Sequence, residues 1–177
     1  HGPKGVGFLF VRKDQDLPSF IHGGSQERGK RAGTENIAGI VGMAEALSIA
    51  AHEMPYTRNR LIRLRNYFVE RVRHEIPQSR LNGHPYKRLP GNVNFSFAGI
   101  DATALLVLLE EEEICASAGS ACNTGQTRIS HVIEAIRVPE EYAAGSVRFT
   151  MGRETTKRDV DACVDALKRS VTILRQE

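Results

Sequence analysis

Apolar positions along the chain recur with different spacings, and each spacing predicts a different element. Gly5 to Val11 is a continuous apolar run behind a Gly-Pro turn and predicts a buried strand. Ile37, Ile40, Val41, Ala44 and Leu47 fall at helical spacing after Thr34, which makes Thr34 a candidate N-cap. Pro55 predicts the end of that helix. A second helix is expected from about Thr57 to Glu75, with Leu61, Leu64, Phe68 and Val72 inward and six arginines, Arg58, Arg60, Arg63, Arg65, Arg71 and Arg73, around the rest. Pro77 to Pro90 reads as a turn-rich link.

Strict alternation from Asn92 to Phe97 and from Ser146 to Met151 predicts two half-buried strands. Between them, Asp101 caps a helix carrying Leu105, Leu106, Leu108 and Leu109, and Ile114 to Ala116 reads as a short strand. A short helix follows around Ser130 to Ile133. Thr156 to Asp159 opens the last helix as a capping box, and Val160, Cys163, Val164, Leu167, Val171 and Leu174 form its inward stripe. The order predicts an α/β chain in two parts: residues 1–55, and residues 56–177 as a small α+β domain with helices against a sheet.

Composition narrows the class. The 41% hydrophobic and 25% charged content is that of a globular chain, and a net charge of +3 is too weak to argue for nucleic acid. No continuous apolar run approaches the ~18 residues of a membrane span, so no membrane partner is expected. Three cysteines, Cys115, Cys122 and Cys163, make no disulfide framework, and without a signal peptide they fit a reducing cytoplasm. The chain opens in what reads as a loop entering a strand, which predicts a piece of a longer protein.

Three stretches carry candidate chemistry. Ala116-Ser117-Ala118-Gly119-Ser120-Ala121-Cys122-Asn123-Thr124-Gly125 surrounds one thiol with residues too small to bury it. Cys122 is therefore either an accessible nucleophile or an inert small hydrophobe. His22 to Thr34 is rich in glycine and cations and feeds a helix N-terminus, so with Lys30 and Arg31 it reads as an anion site or as a plain capped helix behind a loop. Arg148 on a strand presents either a fork for a carboxylate or an ordinary salt bridge. The arginines of the second helix read as a solvated face, with an acidic partner as the alternative. A metal site on Cys115, Cys122 and His131 matches none of the compact zinc spacings. Cys163 reads as core.

Four stretches together resemble one family: Gly2-Pro3-Lys4-Gly5-Val6-Gly7; Gln26-Glu27-Arg28-Gly29 running into Arg31-Ala32-Gly33-Thr34-Glu35-Asn36; Ser117 to Cys122; and Val147-Arg148-Phe149-Thr150-Met151-Gly152-Arg153. The set resembles the C-terminal half of a NifS/IscS-type cysteine desulfurase, of the class V aminotransferase group of pyridoxal 5'-phosphate (PLP) enzymes. The resemblance implies a fold type I PLP-dependent transferase: the end of the large domain, with a dimer-contact loop, in residues 1–55, and the small domain in 56–177. It implies that Cys122 takes sulfur from L-cysteine as a persulfide and leaves alanine. It gives Arg148 to the substrate carboxylate and Thr34 to the PLP phosphate across a homodimer interface. A transient iron–sulfur ligand role for Cys122, and a sulfur acceptor such as an iron–sulfur scaffold or tRNA-thiolation protein, follow from the same resemblance. The family's Schiff-base lysine falls before the position of His1, and Lys4 does not replace it, so the 177 residues alone are expected to be inactive. The alternatives are an inactive module for dimerisation or acceptor docking, and a related selenocysteine lyase or sulfinate desulfinase.

Overall fold

A computed structural model describes residues 2–118 and 129–176. They divide into two compact units, His1–Pro55 and Tyr56–Glu177.

The second unit is built on a three-stranded antiparallel sheet in the order β1 (Ser79–Leu81), β2 (Asn92–Phe97), β3 (Ser146–Thr150). The register sets Leu81 opposite Phe95, Phe95 opposite Val147, and Asn94 opposite Arg148. Alternation sends Val93, Phe95, Phe97, Val147 and Phe149 to one face, where they are buried. That face meets Phe68 and Val72 of α1 (Ile37–Glu75), Leu105 and Leu109 of α2 (Ala102–Glu111), and Val160, Val164, Leu167 and Val171 of α5 (Lys157–Leu174) in a single core cluster. Phe68 lies against Phe149 with ring centroids 5.1 Å apart. Two glycines permit close approaches between strands and loops. A Cβ on Gly91 would collide with the Met151 carbonyl, and one on Gly145 with the Phe97 carbonyl.

The expected caps of this unit are present. Asp101 accepts from the backbone N–H groups of Thr103 and Ala104, and Thr156 and Asp159 form a complete capping box. Two short helices, α3 (His131–Ala135) and α4 (Glu140–Ala143), complete the unit. Polar side chains fasten α1 to α5. The Tyr67 hydroxyl donates to Asp161 at 2.6 Å, and Arg71 pairs with Glu75, Asp161 and Asp165 at 2.6, 3.1 and 2.7 Å.

Several expectations give way. Pro55 does not end a helix: α1 runs through it from Ile37 to Glu75. Its missing N–H and ring clash cost about 3 kcal/mol, which the packing of Leu61, Phe68 and Val72 offsets. Residues 77–90 contain β1 and are not merely a link, because Leu81 supplies an apolar contact to the core. The expected strand at Ile114–Ala116 reduces to one antiparallel bridge, Ser117 to Arg148. Arg65 is not on the solvated face but only 4% exposed.

The first unit differs more. Residues 5–11 form no strand, because no described segment supplies a ladder for them, and Phe8 and Phe10 remain 72% and 80% exposed. Its regular structure is one 3-10 turn, Gln26–Gly29, a parallel bridge from Ile21 to Arg31, and the beginning of α1. The early part of α1 also exceeds the reading of its sequence. An 18-residue window, with alanines and glycines between its larger apolar residues, is long and apolar enough to cross a bilayer by length and composition alone, and it is mostly exposed. A search for unbroken apolar runs overlooks such a window.

Candidate functional site

In the second unit, β3 carries Arg148 on the face opposite the core, with its side chain exposed. Pairing with β2 fixes its backbone on one side: Asn94 is its cross-strand neighbour. On the other side its N–H donates to the Ser117 carbonyl at 2.7 Å, and the Ser117 N–H donates back to the Arg148 carbonyl at 3.1 Å. A guanidinium on so restrained a strand segment is well placed to receive a planar oxyanion. Cys122 lies outside the described residues, but the chain approaching it is fastened to Arg148 by that pair of bonds. Past the undescribed stretch, the Ser130 hydroxyl caps α3 by accepting from the Val132 N–H at 3.3 Å.

The same sheet face holds a polar network that the sequence reading missed. The Asn82 side-chain amide donates to Asn94 Oδ1 at 2.6 Å and to the Ser96 hydroxyl at 2.7 Å, and the Ser146 hydroxyl donates to Asn94 Oδ1 at 3.1 Å. Ser96 is fully buried. The available signal was the choice of small hydrogen-bonding residues, Asn and Ser, where a solvated strand face carries charge. Beyond β3, Arg60 of α1 gathers the carbonyls of Gly152, Arg153 and Thr155, the first at 3.1 Å and the last at 2.5 Å, and so holds the turn into α5.

In the first unit, Thr34 is not the N-cap of α1. Asn36 is: its Oδ1 accepts from the Gly39 N–H at 3.0 Å and its carbonyl from the Ile40 N–H at 2.9 Å. The Thr34 hydroxyl is thereby left exposed and without a partner among the described residues. The preceding turn is tightly specified. Glu27 and Arg28 sit at positive φ, 49° and 58°, and Gln26 Oε1 is enclosed without a hydrogen bond.

The sequence matches the Aminotransferase class-V profile over residues 1–163. The chain belongs to the class V aminotransferase family. It is 48% identical over 175 residues to the cysteine desulfurase IscS of Dictyoglomus turgidum, covering 99% of this chain and 44% of that protein. With the cysteine desulfurase IscS of Methanosarcina thermophila it shares 44% identity over 174 residues, covering 98% and 43%. A solved NifS-like protein superposes with a TM-score of 0.85 at 31% identity, covering 98% of this chain and 44% of that one. The chain thus spans less than half the length of the relatives it matches, and its fold is that of the NifS-like enzymes.

PLP is the cofactor of this family, and the residues before α1 fit its phosphate. An unpartnered hydroxyl on Thr34 stands just before a helix N-terminus. Lys30 and Arg31 add positive charge, although Arg31 also donates to the Ala32 carbonyl at 3.0 Å. The other thiols differ in character. Cys115 is exposed, whereas burial pushes the Cys163 thiol up to about 12, leaving it protonated and inert. Among the described residues no group of metal-ligating side chains comes together.

Proposed function

We propose that this chain is the C-terminal part of a PLP-dependent cysteine desulfurase. Its small domain, residues 56–177, delivers the reactive thiol, and residues 1–55 finish the large domain. The observation that carries this reading is the Ser117–Arg148 backbone pair, which starts the Cys122 stretch beside the strand of the carboxylate-binding arginine. In this reading Arg148 holds the carboxylate of L-cysteine. Thr34, with Lys30 and Arg31, holds the cofactor phosphate, in a homodimer, for the neighbouring site. The cofactor supplies an electron sink at the substrate Cα. Cys122, as its thiolate, attacks the substrate Sγ: an S–S bond forms, the Cβ–S bond breaks, and its electron pair stays with carbon, where a proton completes alanine. The persulfide on Cys122 then passes to an acceptor such as an iron–sulfur scaffold.

Support also comes from the surface. Phe8, Leu9, Phe10, Ile37, Val41 and Leu47 are large apolar side chains left exposed in this chain. The rest of the polypeptide and the second subunit are the proposed cover. In the full-length enzyme, Cys122→Ala is expected to abolish the persulfide and alanine release while keeping the PLP absorbance. Alanine release at the wild-type rate by that variant would overturn the role of Cys122. The 177 residues alone, given PLP, are expected to release no alanine.

A further inference from the structure

Arg148 meets β2 in the closer of the two antiparallel pairings. Its N–H and carbonyl both turn to Ser117, and the carbonyl of its cross-strand neighbour Asn94 turns away to accept from the Asn82 N–H at 2.9 Å. Arg148 and Asn94 are therefore a non-hydrogen-bonded pair, in which Cα atoms stand about 4.5 Å apart and side chains approach most closely. Both side chains leave the sheet on the face away from the core, since Val93, Phe95, Val147 and Phe149 occupy the other.

The two ends of the Asn94 amide are treated differently. Its Oδ1 accepts twice, from Asn82 Nδ2 at 2.6 Å and from the Ser146 hydroxyl at 3.1 Å. The Asn82 NH2 also donates to the Ser96 hydroxyl at 2.7 Å, and a committed donor requires the oxygen of Asn94 to face it. Asn82, Ser96 and Ser146 are all buried, so this end of the amide is anchored in the sheet. The Nδ2, on the other side of the half-buried amide, makes no hydrogen bond to a described residue. Beside it, the exposed Arg148 guanidinium forms neither a hydrogen bond nor an ion pair among the described residues.

Two donor groups thus stand side by side without an acceptor. A carboxylate offers about four lone-pair sites, of which one arginine fork fills two. We propose that Asn94 is a second carboxylate-binding residue, its Nδ2 donating to an oxygen of the substrate carboxylate held by Arg148. This inference rests on the desulfurase reading and adds a specificity-determining residue to it. The residue type fits the task. An aspartate opposite Arg148 would pair with the guanidinium and repel the substrate. Asparagine has the same shape, keeps the anchor to Asn82 and Ser146, and supplies a donor without charge.

The test is the steady-state kinetics of alanine release from L-cysteine by the PLP-saturated longer protein proposed above, with Tm measured alongside. Asn94→Ala is expected to raise KM about 10-fold or more while kcat stays within about 3-fold. In an Arg148→Ala background the same change should cost clearly less, because both residues serve one carboxylate. Asn94→Asp, which keeps the oxygen for Asn82 and Ser146, should raise KM further, with Tm no lower than that of the wild type. A KM within about 2-fold of wild type in Asn94→Ala overturns the inference, and so does full additivity with Arg148→Ala. If Asn94→Ala fails to fold, an unchanged KM in Asn94→Asp overturns it. Those failures leave the desulfurase reading standing. Absence of alanine release by the wild type overturns that reading, and this inference with it.

Discussion

The two units treat their apolar residues in opposite ways. In residues 56–176, Phe68, Phe95, Phe97, Leu105 and Val164 are enclosed, and both sheet pairings are internal. In residues 2–55, Phe8, Leu9, Phe10, Phe20 and Ile37 face outward, and the segment with the most strand-like sequence pairs with no strand among the described residues. Apolar content alone therefore does not make a core; each element also needs the neighbour that covers it and the ladder that satisfies its backbone. The second unit contains its own neighbours. The first has the composition of a buried layer without the layers around it.

The contrast can be broken most severely at Phe68. Phe68→Ala should destabilise the second unit by about 3–5 kcal/mol, read from denaturant unfolding, because its ring packs on Phe95 and Phe149. A loss below about 1 kcal/mol would mean that this core is not the one described. Arg148→Ala probes the functional edge of the same frame. If the proposed desulfurase reading holds, in the longer protein it should lower kcat/KM for L-cysteine about 100-fold with Tm almost unchanged, since that reading gives the exposed guanidinium the substrate carboxylate while the backbone alone pairs with β2 and Ser117. An equal fall in Tm would make Arg148 structural.

A smaller effect comes from acid. The hydrogen bond from Arg71 holds Glu75 below its ordinary 4.5, and the bonds from Tyr67 and then Lys157 hold Asp161 below 3.8. With folded values depressed, their stabilisation is complete above the unfolded values and is lost as pH falls through the folded ones. Tm should thus decline below about pH 4, and the decline should be shallower in Arg71→Gln. The smallest effect is expected in the first unit: Phe8→Ala in the 177-residue chain should change stability by less than about 0.5 kcal/mol. In the longer protein proposed above a much larger cost is expected, and the difference measures how much its additional segments contribute.

The second unit was largely legible in the sequence because its signals are local. The alternation of Asn92–Phe97 and Ser146–Thr150, the Asp101 cap and the Thr156–Asp159 box each depend on residues a few positions apart. What could not be read was set at long range. Arg65 looks like five other arginines until its neighbours are known, and Pro55 looks like a terminator until packing on its C-terminal side outweighs it. Thr34 was expected to cap α1, but Asn36, two residues on, takes the orphan N–H groups instead. At Arg148 the residue type and strand were visible, and its fastening to Ser117 was not.

That fastening uses main-chain atoms only. It is consequently indifferent to which side chains stand at either position, proline excepted, so residues 117 and 148 can both vary while the outer edge of β3 keeps its tether.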